Sequence, residues 1–238
     1  MASTVLKTHA LGMHFGGMVA LETINFTLYE NELRCLIGPN GAGKSTFFKC
    51  LTGMLTPSAG EIYIRGEECT GLPPHEIARL GVGIKTQVPS VMDGLSVYEN
   101  LWLAAHRTSA GGPVRAQVNE VLERLEIGAL SKQVVGQLAH GKRQLVEFGM
   151  VLAMRPWLVL LDEPAAGMTH AEVERAARII LEINQTATLI VVEHDMHFIR
   201  LIAKTVTVFH QGKVLVEDTV DNVMGNPLVQ DVYLGKET

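Results

Sequence analysis

Cysteine is scarce in this chain. Its 238 residues contain only Cys35, Cys50 and Cys69, an odd number with no CxxC spacing. They read as buried or incidental thiols, so no disulfide framework and no redox or zinc role is expected. Long apolar runs are absent as well. The hydrophobic residues come in short stretches such as 158–161 and 189–192, far below the roughly eighteen needed to cross a bilayer. The opening Met1-Ala2-Ser3-Thr4-Val5-Leu6-Lys7 lacks a basic segment followed by an apolar one, so no secretory signal is expected and a cytoplasmic location is. Excess charge is small: 20 Lys+Arg against 25 Asp+Glu give a net charge of −5. That balance argues against binding nucleic acid or acidic membranes by electrostatics alone. A 47% hydrophobic and 19% charged composition excludes a disordered or coiled-coil chain, and this length buries a sizeable core without staples. No internal repeat or low-complexity tract occurs.

What is present is an alternation of short β-rich runs and helical patterns punctuated by glycine and proline, which predicts an α/β domain. The first thirty or so residues read as strands. Residues 33–37 form a compact apolar run stopping at Gly38, and 44–54 have helical spacing with Phe47, Phe48 and Leu51 on one side. Further strands are predicted at 61–65 and 82–86, separated by the turn at Leu72-Pro73-Pro74 and a short helix. From 88 to 155 the β signal fades. Ser96 and Glu99 fit a capping box opening a helix, Ser109-Ala110-Gly111-Gly112-Pro113 breaks it, and helices are expected at 114–125 and 141–154. Strands near 157–161 and 187–192, a helix over 170–184 and a mixed tail follow. The chain is thus expected to be one domain, 1–238, with a core of 1–87 and 156–238 and an inserted helical subdomain at 88–155.

Gly38-Pro39-Asn40-Gly41-Ala42-Gly43-Lys44-Ser45 matches GxxxxGK[ST] in full, between a predicted strand and a predicted helix, as the phosphate-binding loop requires. Glycines let successive N–H groups converge on phosphate oxygens, and the positive end of the helix dipole adds to them. In that role Lys44 reaches the β- and γ-phosphates and Ser45 ligates Mg2+; Thr46 completes the candidate set. The run 158–161 then delivers Asp162 and Glu163 at a strand end. Asp162 is placed to hold the magnesium and Glu163 to polarise an attacking water, so the predicted reaction is hydrolysis of the γ-phosphate.

These residues resemble the ATP-binding cassette ATPases from about Val5 to Gly235. The resemblance implies a P-loop NTPase core with an N-terminal antiparallel β subdomain and an inserted helical subdomain. It gives Phe15 the place of the adenine-stacking aromatic, with an ordinary core phenylalanine as the alternative. It matches Gln87 to the glutamine that links magnesium and the attacking water to the helical subdomain, and His194 to the switch histidine at the γ-phosphate. His194 and His197 could otherwise suggest a metal pair, but two ligands are not a site. The family's Leu-Ser-Gly-Gly-Gln segment, which binds the γ-phosphate held by a partner subunit, stands here as Leu138-Ala139-His140-Gly141-Lys142. Ala139 removes a hydroxyl donor. One hydrogen bond to a charged group is worth about 1.5–3 kcal/mol, so closure on ATP is expected to weaken roughly tenfold to a hundredfold. Lys142 brings a charge that either attracts phosphate or lies on a solvated helix face. In the loop 164–169, where paired subunits touch, Thr169 stands where the family usually has aspartate.

The segments 165–169 and 192–196, the tail 209–214 and the ending Val232-Tyr233-Leu234-Gly235 look like the ATPase subunits of branched-chain amino acid, short-chain amide and urea importers. That resemblance implies two transmembrane permease subunits, a second and commonly non-identical ATPase subunit, an extracytoplasmic solute-binding protein, and a position on the inner face of the membrane. Residues 88–92 would form part of the docking groove, or else simply pack the subdomain. A lipid-export ATPase and a poorly hydrolysing regulatory subunit are the alternatives. Nucleic-acid-linked cassettes would predict a coiled-coil insertion, a basic surface or tandem cassettes, none of which this chain has.

Overall fold

The computed structural model describes residues 3–87, 90–108 and 113–234. Val88 and Pro89 of the expected docking stretch, most of the break at 109–113, and Gly235 of the ending lie outside them. Two 12-residue strands, β1 (Thr4–Phe15) and β2 (Met18–Tyr29), form a hairpin across Gly16-Gly17. β3 (Leu33–Ile37) leads through the glycine loop into α1 (Lys44–Leu51). Next come β4 (Ala59–Ile64), the two-residue β5 (Glu67–Glu68), α2 (Pro74–Arg79) and β6 (Val82–Lys85). Helices α3 (Val97–Thr108), α4 (Val114–Arg124) and α5 (His140–Ala153) pack on one another, with α5 also against β6. The chain continues through β7 (Leu158–Asp162), α6 (His170–Asn184), β8 (Thr188–Val192), α7 (Met196–Ile202), β9 (Thr205–His210), β10 (Lys213–Thr219), α8 (Val220–Gly225) and α9 (Pro227–Leu234).

Two sheets result. β2-β1-β4-β5 is antiparallel, and β10-β9-β3-β8-β7-β6 is parallel except for β10 at its edge. The central parallel strands β7 and β8 are buried on both faces, which is why 158–161 and 189–192 read as apolar runs rather than as an alternation. The alternation is in where the side chains go. Cys35, Val159, Leu161, Leu189 and Val191 enter the core beneath the helices, whereas Leu36, Leu158, Leu160, Ile190 and Val192 enter a second core shared with the antiparallel sheet and α1. One sheet thereby separates two cores and presents its C-terminal edge as a common rim.

Local chemistry sets the boundaries. α1 ends before 54 because Gly53 adopts φ 72°, and a Cβ there would lie 2.1 Å from the Leu72 carbonyl oxygen. The Ser96–Glu99 box forms: the Ser96 N–H donates to Glu99 Oε2 at 2.7 Å and the Glu99 N–H to Ser96 Oγ at 3.2 Å. β9 and β10 are joined by Gln211 and Gly212 at φ 47° and 76°, a turn with both central residues left-handed, which suits the twist of a hairpin. All three cysteines are buried free thiols.

Candidate active site

The candidate residues leave the ends of neighbouring strands. The glycine loop follows β3, Glu193 and His194 follow β8, Asp162 closes β7, and Gln87 lies two residues beyond β6. In an open parallel sheet, ligands bind off this carboxyl edge.

The loop curls because Gly38, Gly41 and Gly43 take φ of 145°, 79° and 105°. Gly38 also passes so near β9 that a Cβ would lie 2.2 Å from the Phe209 carbonyl oxygen. The Gly212 turn supports the loop from outside: its N–H donates to the Ala42 oxygen at 3.0 Å, and its own oxygen accepts from Glu22 at 2.8 Å. Ala42 is buried, Pro39 and Thr46 are half-buried, and Asn40 and Ser45 are exposed. Lys44 Nζ donates to the carbonyls of Gly38 and Pro39 at 2.6 and 3.0 Å, which holds the ammonium against its own loop. Burial lowers its pKa, and the Glu163 and Asp162 carboxylates oppose that.

Asp162 is 7% exposed. Its pKa is pushed up to about 6, first by burial and then by Glu163, with Glu193 adding and Lys49 and Lys85 opposing. Glu163 sits at φ 46°, a left-handed conformation that costs a non-glycine residue about 1–3 kcal/mol and marks a constrained site. Its carboxylate is held on both sides. Gln87 Nε2 donates to Oε2 at 2.8 Å, and His194 Nδ1 lies 3.4 Å from Oε1. Three residues separated by up to 107 positions thus meet at one carboxylate. Phe15 is not a core residue: it faces Met18 across the β1–β2 turn and is 42% exposed. The same hairpin reaches the glycine loop through Ala20, whose oxygen a Cβ on Gly43 would approach to 2.8 Å.

The 138–142 segment makes its contacts elsewhere. Leu138 is buried, Ala139 is the N-cap of α5, and Ala139, His140 and Lys142 are exposed. His140 Nε2 lies 3.1 Å from the Ala166 oxygen. Gly141 is packed so tightly on Glu172 that a Cβ would fall 1.9 Å from Oε1. The partners of this segment are therefore the loop 164–169 and the start of α6.

Residues 21–166 match the ABC transporter family. This chain belongs to that family. The ATP-binding domain of ABC transporters hydrolyses ATP to power transport. The chain is 34% identical to the high-affinity branched-chain amino acid transport ATP-binding protein LivG of Escherichia coli (strain K12), covering 99% of this chain and 100% of the relative. It is also 32% identical to the lipopolysaccharide export system ATP-binding protein LptB of Acidithiobacillus ferridurans, covering 99% and 98%. A crystal structure of a nucleotide-free ATP-binding cassette from an ABC transporter superposes with a TM-score of 0.88 at 25% identity, covering 98% of this chain and 100% of that one.

Two departures of this ABC chain have structural consequences. Ala139 leaves α5 with no side-chain acceptor at its N-cap. Thr169 instead forms a capping box, in which its N–H and hydroxyl both donate to Glu172 Oε2 at 2.9 Å. His194 and His197 engage different partners: His197 stacks on His170 at 4.7 Å beside exposed Glu174.

Glu193 braces the candidate site and is a residue that the sequence motifs do not single out. It is buried, accepts the Ala165 N–H at 3.1 Å on one oxygen, and accepts the His194 and Asp195 N–H groups at 2.9 and 3.2 Å on the other. A carboxylate directly after the apolar run 189–192 is the signal that could have found it, since such a charge needs partners. Gly212 is a second such residue, although Gln-Gly between two β runs is a hairpin signal.

Proposed function

We propose that this chain is the ATP-hydrolysing subunit of an importer for a small polar solute of the branched-chain amino acid, short-chain amide or urea type. It would work on the inner face of the membrane with two transmembrane permease subunits, a second ATPase subunit and an extracytoplasmic solute-binding protein. Full-length similarity to the amino acid transport relatives supports the importer type, and no helix among the described residues is long and apolar enough to cross a membrane. The observation that carries the enzymatic part is the convergence of Gln87 and His194 on Glu163 beside Asp162.

In this reading the loop 38–46 and Lys44 bind the phosphates of ATP, and Phe15 stacks on the adenine. Ser45 and Asp162 are hard oxygen donors of the kind Mg2+ prefers, and Asp162, pushed up to about 6, is ionised at neutral pH as a ligand must be. The metal supplies charge neutralisation at the phosphate oxygens. Glu163 accepts a proton from water as the water oxygen bonds to the γ-phosphorus. The bond to the β–γ bridging oxygen breaks, and its electron pair leaves with ADP. Gln87 orients the carboxylate, and His194 fixes its other oxygen and reaches the γ-phosphate. The segment 138–142 closes on the nucleotide of a partner subunit.

The test is phosphate release and solute uptake by the complex purified from its native membrane. Glu163→Gln should lower turnover by about 10² to 10⁴ and stop uptake of leucine, acetamide or urea. Equal inactivity of wild type and variant, with partners present, would favour the regulatory reading. Similarity to the lipopolysaccharide export relative supports the exporter as a second reading, which copurifying lipid-export subunits would establish instead.

A further inference from the structure

Lys85 is the last residue of β6 and has no solvent exposure, yet among the described residues its ammonium makes no hydrogen bond. Its counter-charge is Glu147 Oε2 at 3.2 Å, from the middle of α5, and that carboxylate is likewise buried. The other oxygen, Oε1, accepts the Ser90 N–H at 3.0 Å. One side chain on α5 therefore grips the chain on both sides of Gln87, two residues before it and three after. Gln87 in turn holds Glu163. Six residues toward its N-terminus from Glu147, the same helix carries Gly141, packed on Glu172, about 9 Å along a rigid rod at 1.5 Å per residue.

A buried ion pair is a poor source of stability, because desolvation offsets most of the Coulomb attraction, and apolar residues of similar size usually pack as well or better. Its distinctive property is registry. Apolar surfaces slide past one another at little cost, whereas a buried ammonium and carboxylate tolerate only the arrangement in which they meet. We propose that Lys85 and Glu147 are positioning residues that lock the orientation of α5 to the Gln87 segment, so that Gln87 and the 138–142 segment move as one body when nucleotide binds. This inference rests on the ATPase reading above and extends it to residues that touch neither nucleotide nor metal.

The experiment uses the full chain with spin labels at exposed Lys7 and Glu123, compared with and without ATP in the hydrolysis-blocked Glu163→Gln background. Melting and turnover are measured in parallel without that block. Lys85→Met with Glu147→Leu removes both charges and keeps the volume. The expected result is a melting temperature at or above that of wild type, turnover lowered about tenfold or more, and a label distance that no longer responds to ATP. Glu147→Gln keeps the Ser90 acceptor and should give an intermediate loss; it replaces the double variant if that one melts early. Wild-type turnover with an intact ATP response in the charge-free variant would overturn the proposal, as would labels that ignore ATP in the unaltered pair. Failure of the ATPase reading itself shows separately, as turnover that Glu163→Gln leaves unchanged.

Discussion

Helix α7 begins at Asp195, whose carboxylate accepts the N–H groups of His197 and Phe198, and α6 begins at the Thr169–Glu172 box. Helix α5 begins at Ala139, with no side-chain acceptor and with Ala139, His140 and Lys142 exposed. The same contrast holds for the residues around them. Glu163 is fixed between Gln87 and His194, and Glu193 ties the strand ends together from beneath. At the start of α5 no N-cap side chain accepts a helix N–H. A region whose polar groups are satisfied from within has its geometry set before ligand arrives, whereas open N–H groups at a helix start await an anion from outside. Under the proposed function, one region serves the chemical step and the other closure on nucleotide.

Changes in the first region should be the larger. Glu163→Gln should lower kcat by about 10² to 10⁴ while ATP still binds, measured as phosphate release beside equilibrium ATP binding. His194→Ala frees one side of the Glu163 carboxylate and should lower kcat by about 10²-fold, with melting unchanged. In the second region, Ala139→Ser restores a hydroxyl donor and should lower the KM for ATP roughly tenfold. A carboxylate at Asp162 with a pKa near 6 gives the next effect. Protons compete with Mg2+, so apparent Mg2+ affinity, read by titration calorimetry with ATP, should be steady above pH 7 and fall about tenfold per unit below pH 6. The sign for stability is opposite. With its folded pKa above the usual 3.8, Asp162 favours the metal-free fold most at low pH and loses that contribution as pH rises through 6. The smallest effect is Glu172→Ala, which removes the α6 box and should cost about 1 kcal/mol, read as a drop of a few degrees in Tm.

The contiguous parts of the site are legible in the amino-acid sequence. The glycine loop, the Asp162–Glu163 strand end and the Ser96–Glu99 box each depend on spacing within a few residues, so their residue types declare the local geometry. Resemblance locates Gln87 and His194, but their meeting at Glu163 is a property of strand order, β6 beside β7 beside β8. The Lys85–Glu147 pair and the Glu193 clasp join segments 62 and 28 residues apart, and nothing in the run 82–86 or 141–154 states that an ion pair spans them. Phe15 shows the limit from the other side: its residue type allows either a core or a stacking role, and only its exposure at the hairpin end excludes the core one.

The most direct measurement is ATP turnover over a full range of ATP concentration for wild type, Glu163→Gln and Ala139→Ser. The account predicts that Glu163→Gln lowers kcat and leaves KM nearly unchanged, while Ala139→Ser lowers KM and leaves kcat nearly unchanged. Both substitutions moving the same parameter would contradict the division between a chemical region and a closing one.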